Sequence, residues 1–179
     1  MKRIFSTFVF CAAFSVFFAF SAFAQQNLTF SDPNAAFSFD LPEAVWKQTV
    51  KPTAGSSNVE YVYGDRSGGH LEIRKITIPA GELLSDVILR EQEQKLQFMP
   101  GYVAGREENF AGALKGKVFN FEYVRSGRNQ SGRFYFLKSD DTTVYIIRFT
   151  GERDKLKAIR NQTDSIARTF KLKTSGKEN

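Results

Sequence analysis

His70 is the only histidine in the chain, so any nucleophilic relay that needs a base titrating near neutrality has to be built on it. No serine or acid is tied to it by a recognisable motif. It begins a strand after Gly68-Gly69, where it reads as an edge or surface histidine without catalytic duty. One histidine and one cysteine, Cys11, exclude zinc centres assembled from several imidazoles or thiolates. Carboxylates alone could act as acid and base or hold calcium, and the dense candidates are Glu91 with Glu93, Glu107 with Glu108, and Asp140 with Asp141. Glu91 and Glu93, two residues apart on a helix, point in different directions and read as a solvated face. Glu107-Glu108 lies beside a turn, and Asp140-Asp141 sits in a hairpin loop without the ligand spacing of an EF-hand. These patterns assign no catalytic, cofactor-binding or metal-ligating residue.

Gly64, Gly68 and Gly69 do not form a strand-to-helix phosphate loop, and Gly112 with Gly116 falls in a β region. The fingerprints of nucleotide and dinucleotide enzymes are therefore absent, and no cofactor is implied. Basic residues interleaved with aromatics are the remaining pattern: Lys115, Lys117, Arg125, Arg128, Arg133, Lys138 and Arg148 lie near Phe119, Tyr123, Tyr135 and Tyr145. One sheet face offering both groups would bind polyanions or lipid headgroups. The simpler reading puts the aromatics in the core and the charges on strand edges and loops, where they discourage sheet-to-sheet association.

The elements that would position these groups are read from periodicity. Phe37, Phe39 and Leu41 alternate with polar residues up to Pro42, which ends a short strand, and a second extended piece runs from Trp46 to Val50. Val59, Tyr61 and Tyr63 give another strand, and Gly68-Gly69 reads as a hairpin. Leu71 and Ile73 are one register out of step with Ile76 and Ile78, so a bulge near Lys75 is expected to keep both pairs on one core face. Leu84, Val87, Ile88 and Leu96 are spaced for one face of a helix that ends at Pro100-Gly101 and lies against the domain surface. A weak strand over 102–107, an aromatic strand around Lys117 to Tyr123, a strand from Gly132 to Leu137 and a central strand from Thr143 to Phe149 form a meander. Leu156, Ile159, Thr163, Ile166 and Phe170 mark one closing helix, with Thr150 as its N-cap. The fold class is α+β: an antiparallel sheet whose apolar faces are covered by amphipathic helices.

This order of elements resembles the PsbP-like family. The opening Ala36-Phe37-Ser38-Phe39-Asp40-Leu41-Pro42-Glu43 with Trp46-Lys47 resembles that family's entrance, and Arg133 to Phe136, Thr143 to Thr150 and Ile166 to Phe170 are similar to its last hairpin and helix. Thr169 stands where serine is commoner. The resemblance implies a layered sandwich and a binding or assembly role. Phe37, Phe39, Leu41 and Trp46 match core positions of the family, so no functional residue carries over.

Lys2 and Arg3, an apolar run from Ile4 to Phe20 and Ala22-Phe23-Ala24 read as an export signal over 1–24. A polar lead-in over 25–35, a single PsbP-like domain over 36–172 and a flexible tail over 173–179 are expected to follow. Cleavage would remove Cys11, leave no thiol and lower the net charge from +6 to +4. No transmembrane span is then expected, and so modest a positive excess, outside the cytoplasm, argues against nucleic acid as partner. The leading expectation is a non-catalytic binding or assembly module of the cell envelope or periplasm, with an envelope protein or an anionic surface as partner. The alternatives are a carboxylate-dependent hydrolase acting on an envelope polymer or small anionic substrate, and peripheral binding to anionic lipid.

Overall fold

A strand that is apolar on alternate residues buries one face, and one that is apolar on nearly every residue buries both. Thr143 to Phe149 is of the second kind, which requires cover on both sides of its sheet. The computed structural model describes residues 28–173, so the expected export signal and most of the expected tail lie outside them. Within that range the strands are β1 (Leu28–Ser31), β2 (Phe37–Leu41), β3 (Trp46–Val50), β4 (Val59–Tyr63) and β5 (Asp65–Thr77), then β6 (Val103–Ala111), β7 (Lys115–Arg125), β8 (Arg128–Lys138), β9 (Thr143–Glu152) and β10 (Lys171–Leu172). The helices are α1 (Leu84–Gln94), extended by a 3-10 turn over Leu96–Phe98, α2 (Arg153–Ala158) and α3 (Arg160–Thr169). Seven strands form one antiparallel sheet in the order β3-β4-β5-β9-β8-β7-β6, and β1-β2-β10 form a small second sheet.

The central strand β9 alternates between two separate cores. Tyr145, Ile147 and Phe149 join Phe37, Phe39, Trp46, Leu71, Ile73, Tyr135, Ile166 and Phe170 on the first face, beneath the small sheet, α2 and α3. Val144 and Ile146 join Ile78, Val87, Ile88, Leu96, Phe119, Phe121, Phe134 and Phe136 on the second face, beneath α1. The expected bulge near Lys75 is therefore corrected. Pairing of β5 with β9 is unbroken from His70 to Thr77, and the two apolar pairs serve opposite faces: Leu71 and Ile73 the first, Ile76 and Ile78 the second. The α+β class stands, as a three-layer sandwich.

Other local expectations are also revised. The lead-in contains strand β1, whose Phe30 stacks on Phe39 at 4.8 Å between ring centroids. Gly68 and Gly69 lie inside β5 instead of forming a hairpin; the chain turns at Gly64, with φ of 69°. The β7–β8 turn consists of Ser126 and Gly127 alone, both with positive φ, the geometry that matches the twist of paired strands. Thr150 does not cap a helix, because β9 continues to Glu152 and the closing helix is split at Ile159 into α2 and α3. The split lets both Leu156 and Ile166 reach the first core.

Candidate functional site

Helix α2 lies over β5, β9 and β8 on the first face and α3 reaches the β6–β7 turn at Arg168, so that beside α2 the 103–105 and 120–122 stretches of β6 and β7 stay open. The step between helix and open sheet is a cleft of about 400 Å³. Val103, Ala104, Gly105, Gly132 and Leu156 supply small or apolar lining. A Cβ on Gly105 would lie 2.4 Å from the carbonyl oxygen of Asn120, so glycine lets the irregular stretch of β6 sit this close to β7. The charged lining is one-sided: Arg133, Arg153, Lys157 and Arg160 against the single carboxylate Glu122. Arg153 is shared loosely between Glu122 at 3.6 Å and Asp154 at 3.4 Å, and among the described residues no carboxylate pairs with Lys157 or Arg160.

Arg133 is buried, with its side chain 9% exposed. Its Nε donates to the Tyr135 hydroxyl at 2.7 Å and to Asp164 Oδ1 at 3.1 Å, Nη2 donates to the same oxygen at 2.7 Å, and Nη1 donates to Asn120 Oδ1 at 2.6 Å. Tyr135 in turn donates to Asp164, and its hydroxyl lies 3.0 Å from that of Thr163. Burial works against the charged guanidinium, yet Tyr135 and Asp164 outweigh it and push the Arg133 pKa up. Burial raises the Tyr135 phenol as well, so it remains protonated. The group is held between Asp164 on α3 and Tyr135 and Asn120 on the sheet.

A second cavity of about 460 Å³ lies on the other face, lined by Glu82, Ser85, Asn109, Lys115, Lys117 and Lys138 among others. Two of its lysines have carboxylate neighbours: Lys117 donates to Glu107 at 2.5 Å, and Lys138 stands 3.5 Å from the exposed Asp141. Burial raises the Glu107 pKa less than Lys117 and Ser85 lower it, so this carboxylate is held below its ordinary range. Each of the two cavities is lined by one carboxylate, which does not make an acid and base pair.

The candidates read from sequence are dispersed. His70 is not on an edge strand, since β5 is third of seven, and its Nε2 lies 2.9 Å from Glu60 Oε2. Glu91 is not a solvated residue: it accepts from Arg148 at 2.5 Å and from Lys95 at 3.1 Å, whereas Glu93 is exposed. Glu107 and Glu108 project from opposite faces of β6, opposite Phe119 and Val118 respectively. Asp140 accepts from the Thr142 N–H at 2.9 Å and orders its own turn, while Asp141 is exposed. Of the seven basic residues noted with the aromatics, Arg133 faces the cleft and Arg148 is buried over the Phe134 ring on the opposite face, so they do not form one patch. Arg153, Lys157 and Arg160 were not among those seven. Arg153 and Lys157 are one turn apart on α2 and Arg160 opens α3, a spacing that reads as an ordinary solvated face until the sheet opposite is known. Among the described residues no group of three or more His, Cys, Asp or Glu could hold a metal, and no helix is long and apolar enough to cross a membrane.

No protein-family model and no curated protein matches the chain. Solved structures do. A variant of the protein Mog1 superposes with a TM-score of 0.60 at 11% identity, over 83% of this chain and 97% of that one. The cyanobacterial PsbP of Synechocystis gives 0.56 at 13% identity, over 86% of this chain and 96% of that one. LpqN of Mycobacterium tuberculosis, described as involved in cell envelope biogenesis, gives 0.54 at 14% identity, over 83% and 91%. The likeness is one of fold: the chain has the architecture shared by cyanobacterial PsbP and Mog1 across most of its length.

Proposed function

We propose that this chain is a non-catalytic binding or assembly module of the cell envelope or periplasm, and that the cleft between α2 and the outer strands receives an acidic partner. The observation that carries the reading is the charge of that cleft: its lining holds Arg133, Arg153, Lys157 and Arg160 with one carboxylate, Glu122, and among the described residues Lys157 and Arg160 have no carboxylate partner. Cations along low-dielectric walls raise the local concentration of anions and speed their encounter. Location outside the cytoplasm is supported by the export signal over 1–24. The fold shared with LpqN, described as involved in cell envelope biogenesis, is in keeping with it.

The test is crosslinking in intact cells with the native chain and with a variant carrying Arg153→Glu, Lys157→Glu and Arg160→Glu. All three positions are exposed or half-buried, so the variant should fold, with its circular dichroism spectrum unchanged as the check. Capture of the principal neighbour should fall by about tenfold or more, and native capture should weaken as salt rises. Undiminished capture by the variant refutes the cleft as the binding surface. Loss of binding only to anionic vesicles, with every protein neighbour retained, would assign the cleft to lipid instead.

A further inference from the structure

An arginine side chain carries five N–H donors in a rigid planar fork. Arg133 spends them unevenly. Its Nε and Nη2 both turn to Asp164 Oδ1, using the side-on edge of the guanidinium, and Nη1 makes one contact, to Asn120. One N–H on each terminal nitrogen is therefore left without an acceptor among the described residues, although the side chain is nine-tenths buried and lines the cleft. Each Arg133 nitrogen already has a partner that fixes its direction, so a spare donor held in place spends little further on binding.

We infer that Arg133 is the seat for an oxyanion, a carboxylate or a phosphate monoester, carried by a ligand whose adjoining apolar part lies on Val103, Ala104 and Leu156. This rests on the cleft being the binding surface and names the group it recognises. The buried guanidinium supplies charge-assisted hydrogen bonds of fixed direction. Arg153, Lys157 and Arg160 supply a field that draws the anion in but is screened by salt. Asp164 and Tyr135 hold the fork from behind, so they are positioning residues and touch no ligand. A cleft of about 400 Å³ suits a small organic anion or the end of a larger one.

The test is a titration of the arginine-labelled native chain, observing the Arg133 side-chain nitrogens by NMR, with hexanoate, hexyl phosphate, inorganic phosphate and 1-hexanol as probes. Hexanoate, hexyl phosphate or both should shift the Arg133 resonances saturably, and which of them does so identifies the oxyanion. Hexanol should leave the resonances in place, and inorganic phosphate should bind about tenfold more weakly than hexyl phosphate for want of the apolar contact. Arg133→Lys keeps the charge and loses the fork, and should weaken the preferred probe about tenfold, whereas Arg153→Gln with Lys157→Gln and Arg160→Gln should mainly flatten the salt dependence. An Arg133 signal indifferent to both anions, or moved equally by hexanol, overturns the inference. Because that signal is read in the native chain, an unstable variant does not obscure the result. If it is indifferent while the glutamate variant still loses its captured neighbour, the binding surface stands and only the oxyanion seat is refuted.

Discussion

Tyr61 shows how much of a side chain's behaviour is set by where it is buried. It packs edge-on against Phe39 and Phe30 in the first core. Burial, with a smaller contribution from Asp32, pushes its phenol up from 10.0 to about 12. The folded chain thus holds this proton more tightly than the unfolded chain. Its contribution to stability is complete below pH 10 and is lost as pH rises towards 12. Tyr61→Phe keeps the packing and removes the titration. Denaturant unfolding of the two proteins should give similar stabilities at neutral pH, and the native chain should fall behind by about 2 kcal/mol near the top of that window. Parallel profiles would show that the phenol titrates alike in both states. Arg133 is the same lesson with opposite charge: burial alone would lower its pKa, and Tyr135 with Asp164 more than offset that.

Helix α1 is held to the second face by one apolar stripe and one ionic contact. Val87 and Ile88 are buried, and Leu89 is exposed, so the stripe is narrow. Glu91 adds a bond to Arg148, which lies over the Phe134 ring and has Glu72 as a more distant partner at 3.6 Å. Both partners are nearly buried, 14% and 12% exposed, so the pair is not screened as a surface bridge would be. Glu91→Ala strands much of the Arg148 charge and should cost about 2 to 3 kcal/mol in denaturant unfolding. Glu93→Ala, two residues along on the exposed side, should stay within about 0.5 kcal/mol. Equal effects would mean that Glu91 is as solvated as its spacing suggests.

The whole molecule is two cores divided by one sheet. Phe39 lies in the core beneath the small sheet and Ile88 in the core beneath α1, with no shared apolar neighbours between their clusters. Phe39→Leu and Ile88→Val should each destabilise, by about 1 kcal/mol in the second case, and the double variant should be additive within about 0.5 kcal/mol. Marked non-additivity would show that the sheet transmits repacking from one side to the other. The same layering makes the cleft, because α2 and α3 cover only part of the first face and leave the 103–105 and 120–122 stretches of β6 and β7 open at the flank of α2.

Much of this was legible in the sequence. Two-residue alternation located β2, β3, β4, the meander and the α+β class, because burial of one strand face is a local pattern. Apolar spacing likewise found α1 and the residues of α2 and α3 that enter the core. Local pattern could not say which face a strand's second apolar set would meet, and so a bulge stood in for a second core at Ile76 and Ile78. It gave no warning that Ile159 divides the last helix, or that Glu91 is buried against Arg148. The cleft was beyond it: Asn120 and Arg133 face each other across the β7–β8 pair, but it takes the packing of α3 to bring Asp164 to Arg133 and that of α2 to bring Arg153 beside them. Periodicity reports what each residue needs from its neighbours along the chain, whereas a binding surface depends on neighbours across it.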